Sequence, residues 1–229
     1  MQIYIGLDDT DNDTSRGTGR LARAIAENLA ADFRLLGVVR HQLLFDPRIP
    51  YTSHNSSACV LLDAEKLVDL DALCSRVASL MQADFQIGSD PGLCVTSEVP
   101  PAILEFGRAA QREVVSQQQA RQLASQFGIL LSGLGGSQDG VIGALAAVGL
   151  AAGGEDGRYI WVGKSRELSG LQPVEALLQA GVTQVCEQTG IPVTEGWVLA
   201  DKLRPARRGG QPVQFVTRQD DYWLPLKLD

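Results

Sequence analysis

Four aspartates crowd into six consecutive positions of GLDDTDNDTSRGTGR: Asp8, Asp9, Asp11 and Asp13. Carboxylates this close repel one another and resist ionisation unless a cation sits among them. Arg16, Arg20 and Arg23 follow, with Gly17, Thr18 and Gly19 between them. A surface turn would use one or two of the aspartates to hydrogen-bond its own backbone and would leave the others without a purpose. An EF-hand loop counted from Asp9 needs glycine at its sixth position and glutamate at its twelfth; the chain has Thr14 and Arg20 there, which excludes it. An aspartyl nucleophile at a strand end remains open on Asp9-Thr10-Asp11, but gives the glycines and Thr18 no task. Magnesium accounts for more of the segment, because it takes a few carboxylates together with water and polyphosphate oxygens.

The same stretch suggests how a nucleotide would be held. Gly17 and Gly19 let the backbone close on an anion at a helix start, where unsatisfied N–H groups point outward. Arg20 stands nearby to neutralise charge. Thr18 has three open roles: to bind metal, to bind phosphate, or to accept a phosphoryl group. Asp8 and Asp9 follow an apolar strand, so their side chains diverge unless the turn begins between them.

A second stretch, SGLGGSQDGVIGALAAVG, places Gly133, Gly135, Gly136 and Gly140 before an apolar helix. It lacks the GK[ST] of a Walker A loop, and Gln138 stands where a G-x-G-x-x-G frame needs its third glycine. Two readings stay open. One is a tight turn leading into a close-packed buried helix. The other is a backbone cradle for a phosphate or base, with Asp139 as helix cap or metal-side carboxylate. Between the two stretches, Pro47 and Pro50 stiffen a loop carrying Arg48, Tyr51, His54 and Asn55; His54 there is an acid, a base or a surface residue. No G-x-S-x-G elbow is present. Arg204, Arg207 and Arg208 are the densest basic group, read as a solvated hairpin turn or as phosphate contacts.

The elements that must position these residues follow from periodicity. QIYIGL is a strand, and Leu21, Ile25 and Leu29 recur at helical spacing over about 18–31. FRLLGVVRHQLLF and CVLLD are strands. A helix is expected over about 65–81, and GLCVTS is a further strand. This β-α-β-β-α-β order predicts an α+β (α/β) fold: a split βαβ, ferredoxin-like unit over 1–97, joined at SEVPP to a second mixed α/β unit over 98–229. The second unit is expected to contain two helices after Pro101, one capped by Ser116 and closed by Gly128. The apolar helix, strands at RYIWVGK and TEGWVLAD, and two short terminal strands complete it.

Composition narrows the classes. The longest apolar run, Val141 to Gly154, has 14 residues, too few for the roughly 20 that cross a bilayer, so no membrane association is expected. No basic and apolar leader opens the chain, and Cys59, Cys74, Cys94 and Cys186 include no CxxC pair, which argues against a zinc ribbon and for reduced, cytoplasmic thiols. A net charge of −7 gives no general attraction to nucleic acid.

Four segments in order carry a family resemblance: IGLDDTDNDTSRGTG, FDPRIPYTSHNSSA, DPGLCV, and LGGSQDGVIGALAAVG followed by RYIWVGKS. Over about residues 1–165 the chain resembles the kinase and ferredoxin-like portion of the agmatinylcytidine synthetase family, enzymes that modify a cytidine of an isoleucine tRNA. The resemblance implies that Asp8, Asp9 and Asp11 bind magnesium–ATP and that Thr18 corresponds to a phosphorylated threonine. It also implies that Gly135, Gly136, Asp139 and Gly140 line the nucleotide or substrate side. The chain departs from the family at SRGTGR, where members carry a denser cysteine–threonine segment, and at SHNS, where they carry an arginine turn. It has no cysteine pair of the zinc-ribbon kind, so tRNA binding by this chain alone is expected to be weak. The expected function is magnesium- and ATP-dependent phosphoryl or nucleotidyl transfer, by a transferase or ligase. Its acceptor would be a tRNA cytidine, a nucleoside or a small molecule destined for amine coupling. A non-catalytic nucleotide- or RNA-binding module is the alternative, and a phosphate-ester hydrolase the third.

Overall fold

Strand and helix alternate as the periodicity requires in the computed structural model, which describes residues 1–10, 17–49, 54–84, 86 and 88–228. The first compact unit, Met1–Gly153, contains β1 (Gln2–Asp8), α1 (Thr18–Leu29), β2 (Arg34–Gln42), β3 (Ser56–Asp63), α2 (Leu70–Ala83), β4 (Gly92–Thr96), α3 (Pro101–Ala110), α4 (Gln117–Gln126), β5 (Leu130–Gly133) and α5 (Gly140–Gly153). Its strands run β5-β4-β1-β3-β2, every neighbouring pair antiparallel. The crossover through α1 returns β2 two places from β1, and β3 fills the gap. Crossing through α2 then puts β4 on the other side of β1. This is the expected split βαβ arrangement, extended by β5 at the β4 edge.

Side-chain alternation on β1 sorts the layers. Ile3, Ile5 and Leu7 are fully buried, while Gly6 faces α5, where an added Cβ would run into the backbone of Ala144. Gly92 meets Gly140 in the same way. The other face of α5 packs on α3, with Gly107 against Ala146 and Gly149 against Ile103. A helix built of Gly, Ala, Val, Leu and Ile therefore lies between sheet and helix and is buried on nearly every side. α1 and α2 cover the sheet too, through Leu21, Ile25 and Leu29 and through Leu73, Val77 and Met81.

Three boundaries differ from the sequence expectation, each for a local reason. α2 begins at Leu70 rather than near Glu65, because the Asp69 carboxylate caps it by accepting from the Ala72 N–H at 3.0 Å, and Leu67 before it is 95% exposed. β2 ends at Gln42 rather than running to Phe45, because the Leu44 N–H turns to donate to the Ala110 carbonyl of α3. The compact unit closes at Gly153 rather than at 97. Pro100 and Pro101 start α3 instead of a second domain, and α3 and α5 complete the core over the first sheet. The capping box at Ser116 is present, with Gly128 at φ +65 just beyond α4.

The second unit, Gly154–Asp229, has β6 (Arg158–Trp161), β7 (Leu171–Pro173), α6 (Val174–Gln179), β8 (Gln184–Glu187), β9 (Trp197–Leu199), β10 (Ala206–Arg208), β11 (Gln211–Gln219) and β12 (Tyr222–Pro225). Its strands run β6-β10-β11-β12-β9-β7, with β8 parallel to β11. Val174, Leu177, Val185, Val198 and Val216 form its core. The turn between β10 and β11 is Gly209-Gly210, both with positive φ, which matches a two-residue hairpin. Arg207 is buried there, donating to the Tyr159 hydroxyl and the Gly210 carbonyl, while Arg208 donates to the carbonyls of Glu155 and Arg207. Arg207 and Arg208 therefore hold the hairpin, while the Arg204 guanidinium donates to the Leu203 carbonyl before it.

All four cysteines are unbridged thiols, and burial pushes the Cys94 thiol well above its ordinary range. Among the described residues, no helix is long and apolar enough to cross a membrane.

Candidate functional site

β1 ends at Asp8, and the chain turns at Asp9, whose φ of 49 is left-handed. The turn therefore begins between the two aspartates, and both line one cavity instead of diverging. Asp8 points at the first turns of α5, where its carboxylate occupies the space a Cβ on Gly143 would take. The close approach of α5 to β1, made possible by small residues, thus brings a helix start to a strand-end carboxylate.

The cavity has a volume of about 350 Å³ and is built wholly within the first unit. Leu43, Arg48, Ile49, His54 and Asn55 line it from the β2–β3 connection, Glu113 and Val114 from the α3–α4 connection, Gln117 from the start of α4, and Asp139, Gly140 and Ile142 from α5 and the residue before it. One wall is thus apolar and another carboxylate-rich, at a size suited to a small-molecule ligand. Arg48 does little to neutralise it. Its guanidinium clasps Asp46 through Nε and Nη2, each at 2.8 Å, and those bonds, with one from its own backbone N–H, hold the Asp46 carboxyl down to about 2. The His54 ring meets Phe45 edge-on, with ring centroids 6.4 Å apart. The Asn55 amide is spent on the Leu44 carbonyl.

The sequence candidates separate into those the cavity gathers and those it does not. Asp8, Asp9, Asp139 and Gly140 line it; Gly17, Thr18, Gly19, Arg20, Gly135 and Gly136 do not. Asp11, with Asp13, Arg16 and Tyr51, lies outside the described residues. Thr18 is buried, and its hydroxyl accepts from the Thr10 N–H at 3.4 Å and pairs with the Thr10 hydroxyl at 3.2 Å. It opens α1, while Gly17 is the N-cap and makes no side-chain capping bond. Thr18 is therefore one residue removed from Asp9 by way of Thr10. Arg20 is exposed on the first turn of α1.

The glycine-rich loop is a closed turn whose amides are largely used internally. The Ser137 N–H donates to Asp90 Oδ1 at 2.7 Å and the Ser137 hydroxyl to Asp90 Oδ2 at 2.5 Å. The N–H groups of Gly140, Val141 and Ile142 donate to the carbonyls of Asp90, Gln138 and Asp139. Gly136 has φ +56 and lies against the Asp90 carboxylate, which leaves no room for a side chain. The tight-turn reading fits this loop; a phosphate cradle of backbone N–H groups does not fit those bonded positions. Sequence reasoning quoted Asp90 only within DPGLCV and missed Gln117, because nothing in DPGLCV or SQQQ marks a residue that works by reaching a distant loop.

For magnesium the test is the donor set. Among the described residues, no three His, Cys, Asp or Glu side chains gather as a metal-ligand cluster. Asp8 and Asp9 on one cavity match an ion that keeps its waters and takes one or two carboxylates plus phosphate oxygens.

No protein-family model and no curated protein matches the chain. Its fold is similar to that in the crystal structure of a tRNA fluorescent labeling enzyme and in that of TiaS in complex with an isoleucine tRNA and ATP, each at 24% identity and a TM-score of 0.57, over 65% of this chain and 36% of the other. The apo form of TiaS, an agmatidine synthetase for an isoleucine tRNA, is similar at 23% identity and a TM-score of 0.54, over 65% of this chain and 35% of that one. The chain thus spans about a third of the length of these proteins, and what it shares with them is the fold.

Proposed function

We propose that the chain is a magnesium- and ATP-dependent enzyme that transfers a phosphoryl or nucleotidyl group from ATP to activate an acceptor, as a first step toward coupling it to an amine. The observation that carries this reading is the meeting of Asp8 and Asp9 at the end of β1 in one cavity with the start of α5. A fold shared with TiaS, crystallised in complex with an isoleucine tRNA and ATP, supports it. On this reading the acceptor is a cytidine or other nucleoside of RNA, or a small molecule.

Asp8 and Asp9 hold the metal, with Asp11 beside them in sequence. Magnesium, when bound, offsets the charge on the polyphosphate oxygens. Phosphoryl transfer asks the protein chiefly for alignment and charge stabilisation, which needs no histidine relay. Gly17, Gly19 and Arg20, which stand outside the cavity lining, supply N–H groups and a cation at the start of α1 for the part of the polyphosphate that extends beyond the cavity. Thr18 fixes that helix to the turn after Asp9 through Thr10. Leu43, Ile49, Val114 and Ile142 give the cavity an apolar wall that suits a flat ring and excludes water.

Calorimetry with magnesium–ATP on the wild type, Asp8→Asn and Asp9→Asn tests the reading. Each substitution is expected to weaken affinity by about tenfold or more, the effect of losing a charged contact. Equal affinity in all three proteins would remove the aspartates from the site. Binding by the wild type with no ATP turnover, whatever acceptor is supplied, would instead make the chain a nucleotide-binding module.

A further inference from the structure

α4 reaches the cavity through a chain of side chains that the proposed reaction has not used. Gln117, its first residue, donates from Nε2 to Asp139 Oδ1 at 2.9 Å and to the Ser137 carbonyl at 3.0 Å. Behind it, one turn along α4, Arg121 donates from Nε to Gln117 Oε1 at 2.9 Å and from Nη2 to Gln138 Oε1 at 2.6 Å. Arginine has donors alone, so it can meet only the oxygen of the Gln117 amide. The amide must therefore turn its NH₂ toward Asp139. Arg121 thus fixes the direction of the contact to a cavity carboxylate that it does not touch.

Two further features describe how this loop is held. Gln138 keeps a left-handed φ of 68, a conformation costly for a residue with a Cβ, and its side chain is pinned by Arg121 and lies over Gly133. Asp90 holds the opposite side of the loop through Ser137. Asp139 is gripped between these anchors, exposed to the cavity. Its carboxylate accepts from Gln117, a residue of another helix, while Asp139 itself stands immediately before α5.

We propose that Arg121 and Gln117 are positioning residues that aim the Asp139 carboxylate into the cavity as a contact for the magnesium-bound nucleotide. The inference rests on the proposed nucleotide site and names how its third wall is built. Arg121 acts through Gln117 and Asp139, so its effect depends on Asp139 being there.

A double-mutant cycle on the full chain reads that dependence directly. Magnesium–ATP affinity is measured by calorimetry for the wild type, Arg121→Ala, Asp139→Ala, the double variant and Asp8→Asn, with thermal melting on each. Arg121→Ala is expected to weaken affinity about fivefold in the wild-type background and to change nothing when Asp139 is already Ala. Arg121→Lys keeps a cation at the Gln117 oxygen and should recover most of the loss. Gln117→Glu keeps the tie to Arg121 and so the folded α4, but it loses the donor and sets a second carboxylate against Asp139. It should weaken affinity without lowering the melting temperature. Equal fold-changes for Arg121→Ala in both backgrounds would mean a merely structural role and overturn the inference. So would full affinity in Arg121→Ala while Asp8→Asn loses it, an outcome that leaves the nucleotide site standing. Absence of any magnesium–ATP affinity in the wild type overturns the site, and this inference with it.

Discussion

Thr18 is the residue at which sequence and geometry ask different things of one hydroxyl. Motif reasoning leaves it metal ligand, phosphate ligand or phosphoryl acceptor. The structure buries it and gives it the Thr10 N–H and hydroxyl as partners. Thr18→Val keeps the shape and removes the acceptor, leaving a buried N–H without its partner. Denaturant unfolding should show a loss of about 1–3 kcal/mol, while Thr18→Ser stays near wild type. No loss in the valine variant would show that the pair contributes nothing in solution. Asp46 supports a second expectation. The Arg48 side chain, then the Arg48 backbone N–H, holds its carboxyl at about 2 in the folded protein, below its unfolded value. A carboxyl depressed on folding adds stability that is fully present above the unfolded value and is lost as pH falls toward 2. The side-chain resonances of Asp46 should therefore titrate near 2, and Arg48→Gln should move the midpoint up. An ordinary midpoint in the wild type would mean that Arg48 is available to neutralise the neighbouring cavity.

Among the elements, α5 decides the geometry of the site. Its apolar composition was legible as a buried helix, but composition does not say what it is buried against. The answer lies in the glycines: Gly6 and Gly92 on the sheet and Gly107 on α3 leave space for the backbone of α5, and Gly143 leaves space for Asp8. Gly6→Ala sets a methyl against the Ala144 carbonyl, where neither backbone can easily give. The expected cost is about 3 kcal/mol in denaturant unfolding, near the upper end for core overpacking. A change below about 1 kcal/mol would mean that α5 rides further from β1. The α2 start shows the opposite case, a boundary set by one capping side chain at Asp69, which the apolar stripe of the helix could not indicate.

At the scale of the molecule, the cavity and every described residue proposed to act on the nucleotide belong to Met1–Gly153. A chain ending at Gly153 is therefore expected to keep the magnesium–ATP affinity of the whole within about twofold, read by calorimetry alongside circular dichroism. A folded fragment that has lost affinity would assign part of the site to Gly154–Asp229. The order of elements through β4 was legible in the sequence alone, because apolar spacing reports directly which side of a strand or helix is dry, whereas the short strands β5, β7 and β8 were not. The crowding of carboxylates in the aspartate turn was legible in the sequence too, since it is a property of neighbours in the chain. Tertiary structure decided which candidates meet. Asp139 reaches the cavity of Asp8 and Asp9 because α5 packs backbone-to-backbone on β1, and Thr18 turns inward because Thr10 takes its hydroxyl. Arg207 folds into a hairpin because Tyr159 and Gly210 receive its guanidinium. Such contacts join residues distant in the chain, and no local pattern records them. A side chain's neighbours in sequence state what it can do, and its neighbours in space state what it does.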